Sequence, residues 1–401
     1  MSSVEDYRWL VSDDGARWLA RARDDLAAAG GQVTVALVQS LRKDLPAERA
    51  HLVCEQLELR ERAREKFTRA DQMFFTRKGL EQATDEALAR YKADRFPAVG
   101  ECFDLCTGIG GDLVALGARL QVTGVDADAV CALLAQRNAA VYGQRNSRLL
   151  NVRVEDVLGS IRADGGKLSA WHLDPDRRTV GKRTTTLAAF EPGLATIAEL
   201  LAVAPSGAIK VAPASDVPVE WNHAERQWTE SRGECRQQVV WFGELAQWPG
   251  QRVATVVDAT GGAATIVGSG GESLPVASAL GRFLYEPRAA VLAARLEGEL
   301  AARHQLGAVA PRVAYLTGET ELRDPLLDGF EVHDVLPLDR KQLRAYCRER
   351  GIGRLEIKKR GLDIEPEKLR REIVAAGDAA ATVLLAPVGG AAKAIIARRL
   401  E

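Results

Sequence analysis

The sequence predicts an α/β protein built on a parallel sheet, with a helical region before it and a small α+β unit after it. Between residues 101 and 212, runs of strand length alternate with segments of helical period. Strands separated in this way pair in parallel through right-handed crossovers. The region before residue 96 carries apolar residues at helical spacing, and from about residue 280 the elements are mixed and the charge turns basic. At 401 residues the chain is long enough for two or three domains, expected at 1–95, 96–279 and 280–401.

In the first region Asp13 and Asp14 precede an amphipathic run whose Trp18, Leu19, Ala22 and Leu26 share one face. Pro46 opens a second run, with Ala50, Val53, Cys54 and Leu57 at i, i+3, i+4 and i+7. Arg60 to Arg69 continues it as a charged, solvated face. A helix at 80–93 leads to Pro97. The alternating region reads as strands near 101–106, 121–126, 150–154, 169–173 and 207–212, with helices at 112–119, 128–142 and 193–203. Beyond Trp221, hairpins are expected from runs at 226–231, 236–242, 252–257 and 264–267, separated by glycine-rich turns. The last region is expected to hold strands at 313–316, 331–335, 355–358 and 382–386. Its helices fall at 289–303, 339–349 and 365–376, the last with Pro366 near its first turn.

No apolar run approaches the roughly 20 residues a bilayer span requires, so no membrane partner is expected. The N-terminus is acidic and mixed, unlike a secretory leader. Cys54, Cys102, Cys106, Cys131, Cys235 and Cys347 show no C-x-x-C spacing, which argues against a disulfide framework or zinc ribbon and for a reducing cytoplasm. The five histidines have no ligand spacing, and no metal is expected. The formal charge is −1, yet between Arg340 and Arg371 twelve Lys/Arg face five Asp/Glu, a local balance suited to a phosphate backbone.

The most informative stretch is Asp104-Leu105-Cys106-Thr107-Gly108-Ile109-Gly110-Gly111-Asp112, followed by Val125-Asp126-Ala127-Asp128. Gly108 and Gly110 let the backbone bend sharply and approach a ligand, since neither carries a Cβ. An acid about twenty residues past such a loop, at the tip of the next parallel strand, can bind the two hydroxyls of a ribose. Asp126 has that place. A dinucleotide fingerprint would need a third glycine where Leu113 stands, which disfavours a nicotinamide cofactor. Asp104, four residues before the first glycine, is placed for a ligand's cationic amino group and badly placed for a pyrophosphate. Asp156 is placed as a helix N-cap. His172-Leu173-Asp174-Pro175-Asp176-Arg177-Arg178 ends a strand at the edge where substrate enters. Arg177, Arg178, Lys182 and Arg183 either hold phosphates there or form a solvated loop. Lys210-Val211-Ala212-Pro213 ends the next strand at the same mouth.

D-x-C-x-G-x-G with a downstream ribose acid resembles motif I and the following acidic motif of class I S-adenosylmethionine-dependent methyltransferases. The resemblance implies a Rossmann-like sheet that ends in an antiparallel pair, at the expected hairpins. It also implies S-adenosylmethionine as cofactor, held by Asp104, Cys106, Gly108, Gly110, Asp112, Asp126 and Asp156. Taken with Asn138-Ala139-Ala140-Val141-Tyr142-Gly143, the loop resembles the trimethylguanosine synthase branch of RNA methyltransferases. In that branch the segment matching Phe75-Thr76-Arg77-Lys78-Gly79-Leu80-Glu81-Gln82 closes over the methionine end of the cofactor. Thr76 either takes the place of its threonine or simply caps the next helix.

Asp174-Pro175 stands where motif IV of nucleic-acid methyltransferases accepts hydrogen bonds from an exocyclic amine and so aims the nitrogen lone pair. The resemblance makes these the catalytic candidates, although Asp176 and Arg177 replace the usual Pro and stacking aromatic. The whole chain is similar to a bacterial family with a helical N-terminal part, a class I domain carrying D-P-D-R, and a C-terminal THUMP-like domain. The last is borne by Tyr315-Leu316-Thr317-Gly318 and Gly353-Arg354-Leu355-Glu356-Ile357-Lys358-Lys359-Arg360-Gly361. THUMP domains grip structured RNA, so the resemblance implies a tRNA or rRNA partner, contacted by Arg177, Arg178, Lys358, Lys359 and Arg360.

The resulting expectation is a cytoplasmic enzyme that transfers methyl to a base nitrogen of RNA. Its rivals are a weakly active or inactive protein that binds cofactor or RNA, and a methyltransferase of proteins or small molecules. A covalent route to a base carbon would need an activated thiol. Cys235, in its hairpin turn, lacks the S-C-N-P-type surroundings of such enzymes.

Overall fold

The computed structural model describes residues 2–28, 33–98, 100–144, 147–163, 170–177 and 190–400. Arg178, Lys182 and Arg183 lie outside the described residues, as do the side chains of Asp176 and Arg177. The chain divides into two compact units. One comprises Met1–Ala224, Gln238–Pro249 and Ala259–Gly261; the other comprises Glu225–Gln237, Gly250–Asp258 and Gly262–Glu401.

The first unit begins with helices α1 (Val4–Leu10), α2 (Asp13–Ala28), α3 (Val35–Leu41) and α4 (Ala47–Ala63). Pro46 stands at the N-cap of α4, whose Val53, Cys54 and Leu57 are buried. The helix expected at 80–93 is two helices, α5 (Arg77–Gln82) and α6 (Glu86–Ala93). Asp85 interrupts them by capping α6, its carboxylate accepting from the Leu88 N–H. Lys66 closes the end of α5 by donating to the carbonyls of Leu80, Glu81 and Ala83. Arg60, expected on a solvated face, turns inward. Its guanidinium donates to the Met73 carbonyl and lies 5.0 Å from the Phe74 ring centre, and burial lowers its pKa to about 10.

The sheet elements follow as β1 (Glu101–Leu105), α7 (Gly111–Gly117), β2 (Gln121–Val125), α8 (Ala129–Val141), β3 (Arg148–Leu150), α9 (Val154–Ala163) and β4 (Ala170–Leu173). A short ribbon, β5 (Asp176–Arg177) with β6 (Phe190–Glu191), precedes α10 (Leu194–Val203) and β7 (Gly207–Val211). Parallel pairing gives the order β3-β2-β1-β4-β7. Residues 238–242 of β9 (Glu234–Phe242) then run antiparallel to β7. The strand expected at 150–154 ends earlier, because the Asn151 amide caps the carbonyls of Asp126 and Ala127 before α9 begins.

Both faces of this sheet are covered by buried apolar residues. Leu105, Trp171, Leu173 and Ile209 pack with Val157, Leu158, Ile197 and Leu200 on one side. Cys102, Ala170 and Ala208 pack with Leu113, Leu116, Ala135 and Ala139 on the other.

In the second unit β8 (Glu225–Ser231) pairs with β10 (Arg252–Val257) in parallel, and β10 forms the expected hairpin with β11 (Ala263–Gly268). The remaining elements are β12 (Phe283–Pro287), α11 (Ala289–Ala294), α12 (Glu297–His304), β13 (Gly307–Ala308), β14 (Leu316–Gly318), β15 (Leu327–Pro337), α13 (Arg340–Glu349), β16 (Ile352–Lys359), α14 (Pro366–Ile373), β17 (Ala379–Val388) and β18 (Ala391–Arg399). Seven strands form a sheet ordered β13-β14-β12-β15-β18-β17-β16. Leu343, Cys347, Leu369 and Ile373 of α13 and α14 pack on Leu355, Val383, Leu385 and Ile396. The expected helix at 289–303 is broken by Arg295, which adopts a left-handed φ of 54°.

A Cβ at Gly207 would collide with the indole of fully buried Trp171. Gly207→Ala should therefore lower stability by about 1–3 kcal/mol in urea unfolding. Gly159→Ala, where the added carbon meets nothing within 4 Å, should not.

Candidate functional site

The chain turns at the carboxyl edge of the sheet immediately after β1. Cys106 and Gly108 both have φ of 57°, and Gly110 has φ of 88°. A Cβ at Gly108 would meet nothing within 4 Å, whereas one at Gly110 would come within 3.2 Å of the Ala135 Cα. Gly110 is thus required by packing on α8, and Gly108 leaves open space beside the turn. The Gly108 N–H donates to Asp126 Oδ2 at 2.7 Å, and the Asp128 N–H donates to Asp126 Oδ1 at 2.9 Å. Burial raises the Asp126 pKa, although both N–H donors pull it down. The ribose-type acid is therefore oriented from two sides by backbone.

Residues 73–75 form no regular element, so side chains supply their backbone partners. The Gln56 amide donates to the Phe75 carbonyl at 2.9 Å and accepts from the Phe75 N–H at 2.8 Å. Asn138, fully buried on α8, accepts from the Phe74 N–H at 2.8 Å. Its amide nitrogen donates to the carbonyls of Phe74 at 3.0 Å and Ile109 at 2.8 Å. This one side chain joins the strap at 73–75 to the glycine turn. Thr76 follows as the N-cap of α5, accepting from the Gly79 N–H, and Gly79 packs closely against Ile109.

Beneath the turn lies a chain of buried polar groups. Asp104, 1% exposed, accepts from His172 Nδ1 at 2.7 Å and from Thr107 Oγ1 at 2.8 Å. With Nδ1 protonated toward a carboxylate, His172 Nε2 is the acceptor, and it faces Lys92 Nζ at 3.4 Å. Lys92 pairs with Asp112 Oδ1 at 2.7 Å, and Thr84 Oγ1 donates to Asp112 Oδ2 at 2.8 Å. Burial works against the Asp112 charge, but the ammonium groups of Lys92 and Lys210 hold its carboxyl below the usual range. Both oxygens of Asp112 thus meet protein groups. Gln56 and Lys92 escaped the sequence reading, since a single polar residue on an apolar helix face carries no local signal.

At the neighbouring strand end, the Asp174 N–H donates to the Leu105 carbonyl at 3.1 Å, which sets Asp174-Pro175 directly beside the turn. Asp174 Oδ2 meets Lys210 Nζ at 2.6 Å, and Pro175 is buried. Asp156 stands exposed in the first turn of α9. The adjacent strands β2, β1 and β4 therefore bring Asp126, the glycine turn and Asp174 to one edge. In the second unit, Lys358 and Arg360 pair with Glu286 at 2.5 and 3.0 Å, and Lys359 is exposed. Two of the three expected RNA contacts are already matched by a carboxylate. Burial raises the Cys235 thiol to about 12, the opposite of an activated nucleophile.

Residues 327–399 match the family described as THUMP domain-like, and residues 3–63 match a domain of unknown function. An uncharacterized S-adenosylmethionine-dependent methyltransferase of Mycobacterium tuberculosis, in strains CDC 1551 and H37Rv, is 29% identical over 322 residues. That similarity covers 79% of this chain and 86% of the relative. A solved structure from Porphyromonas gingivalis W83, described as a methyltransferase, superposes with a TM-score of 0.74 at 21% identity, covering 89% of this chain and 92% of the other. The fold is that of a class I methyltransferase. Over most of its length the chain is similar to relatives named as S-adenosylmethionine-dependent methyltransferases, and its C-terminal part matches the THUMP-like family. The residues present fit that cofactor: open space beside Gly108 and an oriented, half-buried Asp126 suit a nucleoside.

Asn138→Ala would leave the Phe74 N–H and the carbonyls of Phe74 and Ile109 without this partner. At about 1–3 kcal/mol per buried unsatisfied group, a loss of roughly 3 kcal/mol or more is expected in chemical unfolding. The Asp112 carboxyl has a folded pKa below its ordinary 3.8, so its stabilisation is complete above that pH and is lost as the pH falls beneath it. Acid unfolding followed by circular dichroism should be shallower below pH 3.8 in Asp112→Asn than in the parent protein.

Proposed function

We propose that this protein methylates a base nitrogen of a structured RNA, tRNA or rRNA, in the cytoplasm. The single observation that carries the reading is the hydrogen bond from the Asp174 N–H to the Leu105 carbonyl, which joins the D-P-D-R edge to the glycine turn. S-adenosylmethionine supplies an electrophilic methyl group when bound. Asp126 takes the ribose hydroxyls, Gly108 and Gly110 admit the ligand to the backbone, and Asp156 accepts from the adenine amino group. Thr76 serves the methionine end. Asp104, Cys106 and Asp112 shape the turn from beneath and beside it.

Asp174 has one oxygen engaged by Lys210, and its other oxygen accepts from an exocyclic amine of the base, with Pro175 holding the backbone there. Such a hydrogen bond turns the nitrogen lone pair toward the methyl carbon, and the rate gain comes from that alignment. Arg177 and Arg178, which follow Asp174-Pro175 in the sequence, are the proposed phosphate contacts. The THUMP-like match supports an RNA partner, docked through Lys359 and, where they exchange their carboxylate partner for phosphate, Lys358 and Arg360. The six cysteines are unpaired, as a reducing compartment requires.

Asp126→Ala should weaken binding of S-adenosylhomocysteine about 10- to 100-fold in calorimetry, the loss of one or two hydrogen bonds to a charged group. Asp174→Ala should keep that affinity and lose about 100-fold or more in labelled-methyl transfer into RNA from a strain lacking the gene. Full transfer by Asp174→Ala would overturn the assignment. Mass spectrometry of nucleosides with and without the gene would identify the product. RNA binding that does not weaken with salt would remove the phosphate-contact part of the reading.

A further inference from the structure

Lys210 is not explained by the cofactor or by the acceptor base, yet the fold holds it closely. It lies one residue before the end of β7 with 12% of its side chain exposed. Its ammonium is 2.6 Å from Asp174 Oδ2 and donates to the Gln82 carbonyl at 3.1 Å. Gln82 is the last residue of α5, whose first turn is capped by Thr76 and packed through Gly79 on Ile109 of the glycine turn. The carbonyls of Leu80, Glu81 and Ala83 all go to Lys66, while that of Gln82 goes to Lys210. The end of α5 is thus closed by two ammonium groups, and one of them also grips the acceptor acid.

We propose that Lys210 is a positioning residue that couples the α5 segment to Asp174. This rests on the reading of Asp174 as the group that orients the acceptor amine. A charge-assisted bond is shorter and stronger than a neutral one, and little water competes where the lysine is nearly buried. With Oδ2 fixed by the ammonium, the carboxylate plane is fixed and Oδ1 is the oxygen offered to substrate. Because the same ammonium holds Gln82, a shift of α5 moves the partner of Asp174. Ordering of α5 on the cofactor side and alignment of the acceptor acid are thereby linked, and such linkage acts in both directions. Lys210 does not meet the transferred methyl group and acts through Asp174.

The test uses the full chain as wild type, Lys210→Met, Lys210→Arg, Asp174→Asn and the Lys210→Met/Asp174→Asn double variant. Three quantities are read: S-adenosylhomocysteine affinity by calorimetry, and kcat and KM for labelled-methyl transfer into total RNA from a strain lacking the gene. Lys210→Met should lower kcat about 10- to 100-fold with KM for RNA changed by less than about threefold, the signature of lost alignment. It should weaken S-adenosylhomocysteine about two- to fivefold, a loss below that of a full hydrogen bond. Lys210→Arg, which keeps the charge, should recover most of the lost kcat. In the Asp174→Asn background, Lys210→Met should cost no further kcat, because its path runs through the carboxylate. A kcat for Lys210→Met within twofold of wild type overturns the proposal, as does a penalty that persists in full in the Asp174→Asn background. Absence of transfer by the wild type would count against the RNA reading instead. The affinity measurement then decides, and unchanged affinity in Lys210→Met would overturn the coupling.

Discussion

Lys92 and Asp112 meet with 2% and 9% of their side chains exposed, and the elements around the glycine turn are joined through this pair. Lys92 brings α6, Asp112 brings α7, His172 brings β4 and Asp104 brings the end of β1. Removing two charges from water costs more than an apolar contact of the same volume would, so the pair is a poor source of net stability. What it supplies is a unique arrangement. Each donor has a specific acceptor, and a shift of any of the four elements strands a charged or polar group in the interior. The backbone at Cys106 and Gly108, both left-handed, is held at the end of a strand that this network fixes.

Above the network, the charges facing the edge are unequal. The Asp174 carboxylate is paired with Lys210, whereas the Asp126 carboxylate is met by the N–H groups of Gly108 and Asp128. A donor carrying a sulfonium gains from such surroundings, and its demethylated product, having lost that positive charge, gains less.

The strands of the central sheet are legible to within a residue or two, except for β3, because each is a short run with apolar residues set between helical patterns. Local competition was harder to read. Asp85 divides the expected 80–93 helix by capping its second half, and Arg295 breaks another helix without any glycine to announce it. Strands β12 and β18 escaped, the first ending in Pro287 and the second carrying Lys393, Arg398 and Arg399 within it. At the site, Gly108 and Asp126 lie close enough in sequence for a motif to capture them. Asn138 with Phe74, and Lys92 with His172, are separated by 64 and 80 residues, and no spacing rule links them. The basic run near residue 358 shows the related difficulty: composition counts charges, but only the fold reveals that Glu286 answers Lys358 and Arg360.

The strap that reaches the glycine turn comes from the helical region, and its hydrogen bonds come partly from that region, through Gln56 and Arg60, and partly from the sheet region, through Asn138. The change of secondary structure near Pro97 is thus not a joint at which the gene can be recombined freely. Exchange of either side alone would pair a foreign backbone with amides evolved for another. Among the bonds that cross the change near Pro97 are those of Asn138, which serves the peptide groups of Phe74 on one side and Ile109 on the other.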